Sequence, residues 1–275
     1  MNSTLKYIYG PVSSWRLGVS LGIDLLSQDK KICTFDCSYC QIGRAQSVST
    51  NRKVYVPTQK IVEELKGLPK VKIDYLTFSG RGEPCMAENL GEAIETVRTL
   101  MAKPVAVLTN ATLLDMDDVV TELALADVVA VKLDAWSQSS LFMINNPAQG
   151  ITFDRIYQGI KRFRQKYHGQ LAIQMMFVPE NKEFAEKMAE LVFEIKPDEV
   201  QINTPLRTCV VSPLSCEEIF KIKKCFNGLK TVTAYDTIHD KDKPISMEDT
   251  ARRRGEQQLM ENKQMVSGNH IYLMR

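Results

Sequence analysis

Six short apolar runs, Ser20–Leu26, Ile73–Ser79, Val105–Asn110, Val128–Asp134, Leu171–Val178 and Val200–Asn203, recur along the chain with helix-period segments between them. They are rich in Val, Ile, Leu and Phe and nearly continuous in apolarity, the pattern of strands covered on both faces. Pro57 predicts a helix start, because the missing N–H of proline costs nothing in a first turn. Ile151, Ile156, Ile160, Phe163 and Tyr167 form the apolar stripe of another helix, with Arg155, Arg162 and Lys166 on its wet face. Six strand-then-helix units in succession predict an α/β fold with a parallel sheet and right-handed crossovers. A closed eight-unit barrel usually takes about 250 residues. The units here run only from Leu17 to Asn227, so an open partial (β/α)6 barrel fits better. Lys230–Tyr235 is a further strand-like run that extends its edge. From Asp236 the chain turns polar, and Ala251–Met265 reads as a charged helix. The expected organisation is one barrel domain over 1–235 and a C-terminal extension, 236–275, that acts as a lid or packing appendage.

Composition excludes little. Hydrophobic residues make up 44% and charged residues 25% of 275, with a net charge of +2. That balance gives no electrostatic argument for a nucleic-acid or membrane partner. The N-terminus lacks the apolar run of a signal peptide. The longest apolar stretch, Ala124–Val131, contains Asp127 and is too short to span a bilayer. A cytoplasmic protein with no membrane partner is expected. In that reducing setting, clustered thiols among its seven cysteines read as metal ligands before disulfides.

Three of those thiols stand in Lys31-Ile32-Cys33-Thr34-Phe35-Asp36-Cys37-Ser38-Tyr39-Cys40, with spacings of three and two intervening residues. A loop of eight residues can fold around a cubane and present three thiolates to three irons, leaving the fourth iron open to a ligand. Structural zinc wants a closed set of four ligands, and no Cys or His stands near enough in sequence to complete one. An electron-transfer ferredoxin site wants a fourth Cys as well. Further on, Gly80-Arg81-Gly82-Glu83-Pro84 follows a predicted strand. Its glycines let backbone approach a ligand, though the same residues also suit a plain tight turn.

The cysteine spacing, with aromatic Tyr39 before the last cysteine, resembles the radical S-adenosylmethionine (SAM) superfamily. The resemblance implies a [4Fe–4S] cluster on Cys33, Cys37 and Cys40. Its open iron chelates SAM, and one-electron reduction yields a 5′-deoxyadenosyl radical that takes hydrogen from a substrate. An electron donor such as flavodoxin or ferredoxin is implied too. Gly80, Gly82, Glu83 and Pro84 resemble the superfamily's segment that holds the methionine amino group. By the same analogy Lys132 meets the SAM carboxylate and Asp134 the ribose hydroxyls, with Tyr39 and Asn110 also at the cofactor. Gln174, Gln201 and Asn203 are candidates for SAM or substrate, or for hydrogen bonds within the barrel.

The run Tyr9-Gly10-Pro11-Val12-Ser13-Ser14-Trp15-Arg16-Leu17-Gly18, with SLGIDL, INNP and TPLR, is similar to an uncharacterised radical SAM family related to the tRNA wyosine-base synthases. Trp15 and Arg81 depart from its usual residues, and Arg81 and Cys85 are candidates for acting on substrate. Cys209, Cys216 and Cys225, with or without Cys85, are candidates for an auxiliary cluster, against the default of packed thiols. The resemblance places an RNA base first as substrate, ahead of a peptide side chain (including glycyl-radical activation) and a small molecule. The basic runs 161–166 and 252–254 suit phosphates, or simply solvated helix faces. A non-catalytic iron–sulfur carrier would have no use for a methionine clamp.

Overall fold

The computed structural model describes residues 5–44, 50–207, 209–236 and 244–254. One eight-stranded sheet runs in chain order: β1 Ile8–Ser14, β2 Gly18–Ile23, β3 Tyr75–Phe78, β4 Val105–Thr109, β5 Val128–Lys132, β6 Gln170–Met176, β7 Glu199–Asn203 and β8 Thr231–Thr233. From β2 to β8 every neighbouring pair is parallel, and β1 runs antiparallel to β2. The sheet curls into an open half-barrel.

Helices α1 Thr58–Lys66, α2 Leu90–Met101, α3 Asp117–Leu123, α4 Gln138–Asn145, α5 Phe153–Lys166, α6 Ala185–Ile195 and α7 Cys216–Lys224 make the crossovers. Helix α5 forms because Thr152 accepts from Arg155 N at 3.2 Å at its start and Ile156, Ile160 and Phe163 repeat on one buried face. That face and its counterparts cover the outer side of the sheet, where Leu21, Ile23, Leu76, Phe78, Val107, Val129, Ile173 and Ile202 join one continuous core. Fully burying each such side chain contributes about 1.5–3 kcal/mol.

The inner face is different from what the strand runs suggest. Residues two apart along each strand share a face, and the register sets Ser20, Thr77, Leu108, Lys132, Gln174 and Asn203 along the inside. The strands are therefore apolar outward and largely polar or small inward. Buried polar residues, rather than a second apolar layer, define a lumen.

One further correction concerns the N-terminal edge. The N-terminal run is a strand, β1, despite Pro11 inside it. A register break between Tyr9 and Val12 accommodates the proline at the sheet edge. At the other edge β8 does extend the sheet, as a short parallel partner of β7.

Beyond Asp236, residues 244–254 pack on β1. Ile245 N donates to Gly10 O at 2.8 Å, Gly10 N to Thr250 Oγ1 at 3.0 Å, and Leu5 N to Asp249 Oδ2 at 3.0 Å. Helix α8, Met247–Arg254, so covers the edge strand. The rest of the helix expected over Ala251–Met265 lies outside the described residues. Among the described residues no helix is long and apolar enough to cross a membrane.

Candidate functional site

The cysteine loop leaves the top of β2 and is clamped between two segments. On one side Glu83 N donates to Ile32 O at 2.9 Å, and Ile32 pairs with Gly82 in a parallel bridge. A Cβ on Gly82 would stand 1.6 Å from Ile32 O, and one on Gly80 (φ +136°) would stand 2.5 Å from Asp24 Cγ. These two glycines are thus required by the chain's own close approach, whatever else they meet. On the other side the end of α4 receives the loop. Asp36 N donates to Asn145 O at 3.0 Å and Ser38 N to Ile144 O at 2.9 Å.

Each of the three thiols then meets an N–H donor from a different element. Lys31 Nζ lies 3.1 Å from Cys40 Sγ, Asn145 Nδ2 3.4 Å from Cys37 Sγ, and Asn110 Nδ2 3.7 Å from Cys33 Sγ. Burial pushes the Cys33 thiol up to about 12, opposed by the nearby Lys31 ammonium; burial raises Cys37 as well. Burial works to lower Lys31, but the sulfurs of Cys40, Cys33 and Cys37 outweigh it and hold the ammonium above its ordinary range. Among the described residues no three His, Cys, Asp or Glu side chains converge where one ion could sit. Three thiols spread along a loop, each with its own donor, fit a cluster whose separate irons take separate thiolates.

Behind this loop lies a fully matched polar layer. Glu83, 2% exposed, accepts from Thr109 Oγ1 at 2.6 Å, Asn110 N at 2.6 Å and Cys85 N at 3.1 Å. Burial raises its carboxyl, and these three donors oppose that shift. Asn110 Nδ2 also donates to Thr34 Oγ1 at 2.7 Å. Asp134 accepts from Met176 N at 2.8 Å, Asn145 Nδ2 at 3.0 Å and the Tyr39 hydroxyl. Burial and the Asp134 charge push the Tyr39 phenol well above its ordinary range, so it stays a donor.

The lumen in front of this layer is a cavity of about 420 Å³. Of the expected cofactor residues, Tyr39, Gly80, Gly82 and Lys132 stand on its wall, together with Cys40. Lys132 Nζ lies over the Tyr39 ring at 5.2 Å from its centre and 3.7 Å from Asp134 Oδ2. Glu83, Pro84, Asn110 and Asp134 do not line it. Asp134, expected at the ribose, has both oxygens engaged by protein donors, Tyr39 among them. Glu83 likewise braces the tops of β3 and β4.

Cys85 is buried, with Sγ 3.4 Å from Thr109 Oγ1. Arg81 reaches out to Asp29 O at 3.2 Å. Neither stands on the cavity wall.

The auxiliary cluster is also corrected. Cys216 opens α7 and Cys225 follows its end. Nine residues at 1.5 Å each put them about 13 Å apart along the helix. Cys209 donates to Val211 O at 3.2 Å, and Cys85 is sealed in the core. The helix between Cys216 and Cys225 keeps those two thiols apart, which spacing alone does not reveal.

Sequence reasoning missed Lys31 and Asn145 as site residues. Lys31 ends the charged run Asp29-Lys30-Lys31 two residues before Cys33, and Asn145 sits in the INNP segment; each gains its meaning from a contact made in space.

A family model described as the Radical SAM superfamily matches residues 30–192. The UPF0026 protein slr1464 of Synechocystis sp. is 43% identical over 208 residues, covering 75% of this chain and 78% of its own. Among solved structures, Streptococcus suis SuiB bound to S-adenosylmethionine is 15% identical with a TM-score of 0.58, covering 77% of this chain. This chain spans about half of SuiB, 52%. Archaeal TYW1 is 14% identical with a TM-score of 0.54, covering 80% of this chain and 75% of its own. These structures share the half-barrel. The chain belongs to the radical SAM superfamily and, within it, to the UPF0026 family, and it is an enzyme.

Proposed function

We propose that Cys33, Cys37 and Cys40 hold a [4Fe–4S] cluster at the mouth of the lumen, with SAM beside it against Tyr39, Gly80, Gly82 and Lys132. The observation that carries this reading is the set of three thiols, each with its own N–H donor, on a loop pinned to the Gly80–Gly82 segment. When bound, the cluster and SAM supply an electron and a 5′-deoxyadenosyl radical, which abstracts hydrogen from the substrate.

The chain's own residues supply position. Asp134 and Asn145 hold the Tyr39 hydroxyl, which fixes that ring beneath the Lys132 ammonium. Lys132 projects from the end of β5 into the lumen, where it suits the SAM carboxylate. Lys31, Asn110 and Asn145 donate toward the thiolates, which stabilises the reduced, more negative state.

The reaction needs an electron donor and a substrate. A flavodoxin or ferredoxin in a cytoplasmic setting suits the seven free thiols. The substrate presents a C–H bond inside the lumen, and the size of the lumen suits one inserted group, such as an RNA base or a small molecule.

Iron and sulfide content after anaerobic reconstitution, with 5′-deoxyadenosine assayed after reduction, tests the reading. About four irons per chain are expected in the wild type, and background iron with no deoxyadenosine in a Cys33/Cys37/Cys40 triple-Ala variant. Equal iron in both proteins would overturn it.

A further inference from the structure

The far end of the lumen carries an electrostatic demand that the reaction centre does not use. The β1–β2 hairpin folds across the floor of the half-barrel, where Leu17 packs with Ala106 and Val128. The next side chain, Arg16, stands on the cavity wall, with its guanidinium over the Trp15 ring at 5.1 Å. Its Nε and Nη1 are buried and have no hydrogen-bond partner. Burying a charged donor without an acceptor is costly, and folded proteins rarely leave one so.

The surroundings add to the demand. Arg207 and Arg254 act on Arg16 as like charges, and Arg207 Nη1 donates to Arg254 O at 2.6 Å, which holds the two together. Both stand on the cavity wall with Arg16 and Lys132, on the side nearer the mouth, where Arg207 O accepts from Gln41 Nε2 beside Cys40 at 3.3 Å; no Asp or Glu among the described residues lines that wall. Glu199 acts favourably on Arg16, but it is already engaged by Lys230 at 2.8 Å and Gln201 Nε2 at 2.9 Å. Burial first and Arg207 next hold Arg16 down to about 10, with Tyr9 and Glu199 opposing and Arg254 adding least; a guanidinium at that value is charged at neutral pH.

SAM does not answer this demand. Its single carboxylate belongs with the cluster loop, which leaves the top of β2, whereas Arg16 precedes the bottom. The six residues of β2 put about 20 Å between those ends of the backbone.

We propose that the floor of the lumen is a phosphate-recognition site for the substrate, in which a phosphomonoester accepts from Arg16 Nε and Nη1 within the positive field of Arg207 and Arg254. A phosphate carries up to two negative charges and three free oxygens, which matches several guanidinium donors better than a carboxylate does. The phosphate anchors one end of the substrate at the floor, so that the group above it is presented toward the mouth. This inference rests on the reading of the mouth as the SAM site, and it names the substrate class: a phosphorylated small molecule or a nucleotide end.

Anaerobic titration calorimetry on the reconstituted protein tests it, with inorganic phosphate, glycerol phosphate and a nucleoside 5′-monophosphate as probes and acetate as the control. Phosphate and at least one monoester bind the wild type, and acetate does not. Tighter binding of glycerol phosphate assigns a small-molecule source, and tighter binding of the nucleotide assigns a nucleotide end. Arg16→Gln weakens phosphate binding by about tenfold or more, and Arg16→Lys, which keeps the charge, recovers part of it. Iron content and SAM affinity stay at wild-type values in both variants.

Absence of phosphate binding by a wild type that loads iron and cleaves SAM overturns this proposal alone. So does wild-type phosphate affinity in Arg16→Gln, or a parallel loss of SAM affinity, which would assign the guanidinium to the SAM carboxylate. A wild type that binds phosphate through Arg16 yet never cleaves SAM overturns the reading of the mouth instead.

Discussion

At the mouth of the lumen, Glu83, Asn110, Asp134 and Asn145 have their buried side-chain nitrogens and oxygens matched by protein partners. At the floor, Arg16 has two buried nitrogens that are not. Both regions are polar, and both line or back the same cavity. The difference lies in what completes each. These four side chains at the mouth are held before anything binds, although Ser38 Oγ in the cluster loop and Arg253 Nε on the wall are buried without a hydrogen-bond partner. The floor is completed only by a ligand from outside, so it carries information about which ligand that is.

The largest test of this contrast is Glu83→Ala. It leaves Thr109 Oγ1, Asn110 N and Cys85 N without their acceptor, and is expected to cost about 2–4 kcal/mol in a denaturant titration. A loss below about 0.5 kcal/mol, the range of ordinary surface substitutions, would mean the mouth is not braced as described. A SAM affinity that falls while stability holds would return Glu83 to direct contact with the cofactor.

Lys31→Met removes the charged donor at Cys40 Sγ. The cluster potential is expected to fall by on the order of 50–100 mV, the one-electron equivalent of about 1–2 kcal/mol. A redox titration followed by electron paramagnetic resonance reads it directly. An unchanged potential would show that the ammonium does not act on the cluster.

The smallest effect has the opposite sign. Because Arg16 is buried with unmatched donors, Arg16→Met is expected to leave the ligand-free protein as stable or to raise its stability by about 1 kcal/mol. A loss of more than that would mean Arg16 is a structural member of the hairpin and would erase the difference between mouth and floor.

How much of this could be read from the chain itself differs by residue. Cys33, Cys37 and Cys40 were legible because a short loop brings sequence neighbours together in any fold. Gly80 and Gly82 were legible as places needing bare backbone, although the atoms they make room for, Asp24 and Ile32 O, belong to a segment about fifty residues earlier. Strand β1 was hidden by Pro11, whose local meaning is overridden at a sheet edge. The auxiliary-cluster expectation counted cysteines, and α7 sets Cys216 at its first residue and Cys225 just past its last.

The sequence by itself determined the strand–helix alternation, the cluster loop and the family, since each rests on contacts between residues close in the chain or on a repeated pattern of apolarity. Only the tertiary structure decided which polar residues meet. It drew Asn110 and Asn145 from the ends of β4 and α4 to two of the thiols, tied Glu83 and Asp134 to protein donors behind the lumen, and set Arg16 on its floor. Hydrophobic periodicity reports which face of an element is buried, but a hydrogen bond depends on where two distant elements finally come to rest.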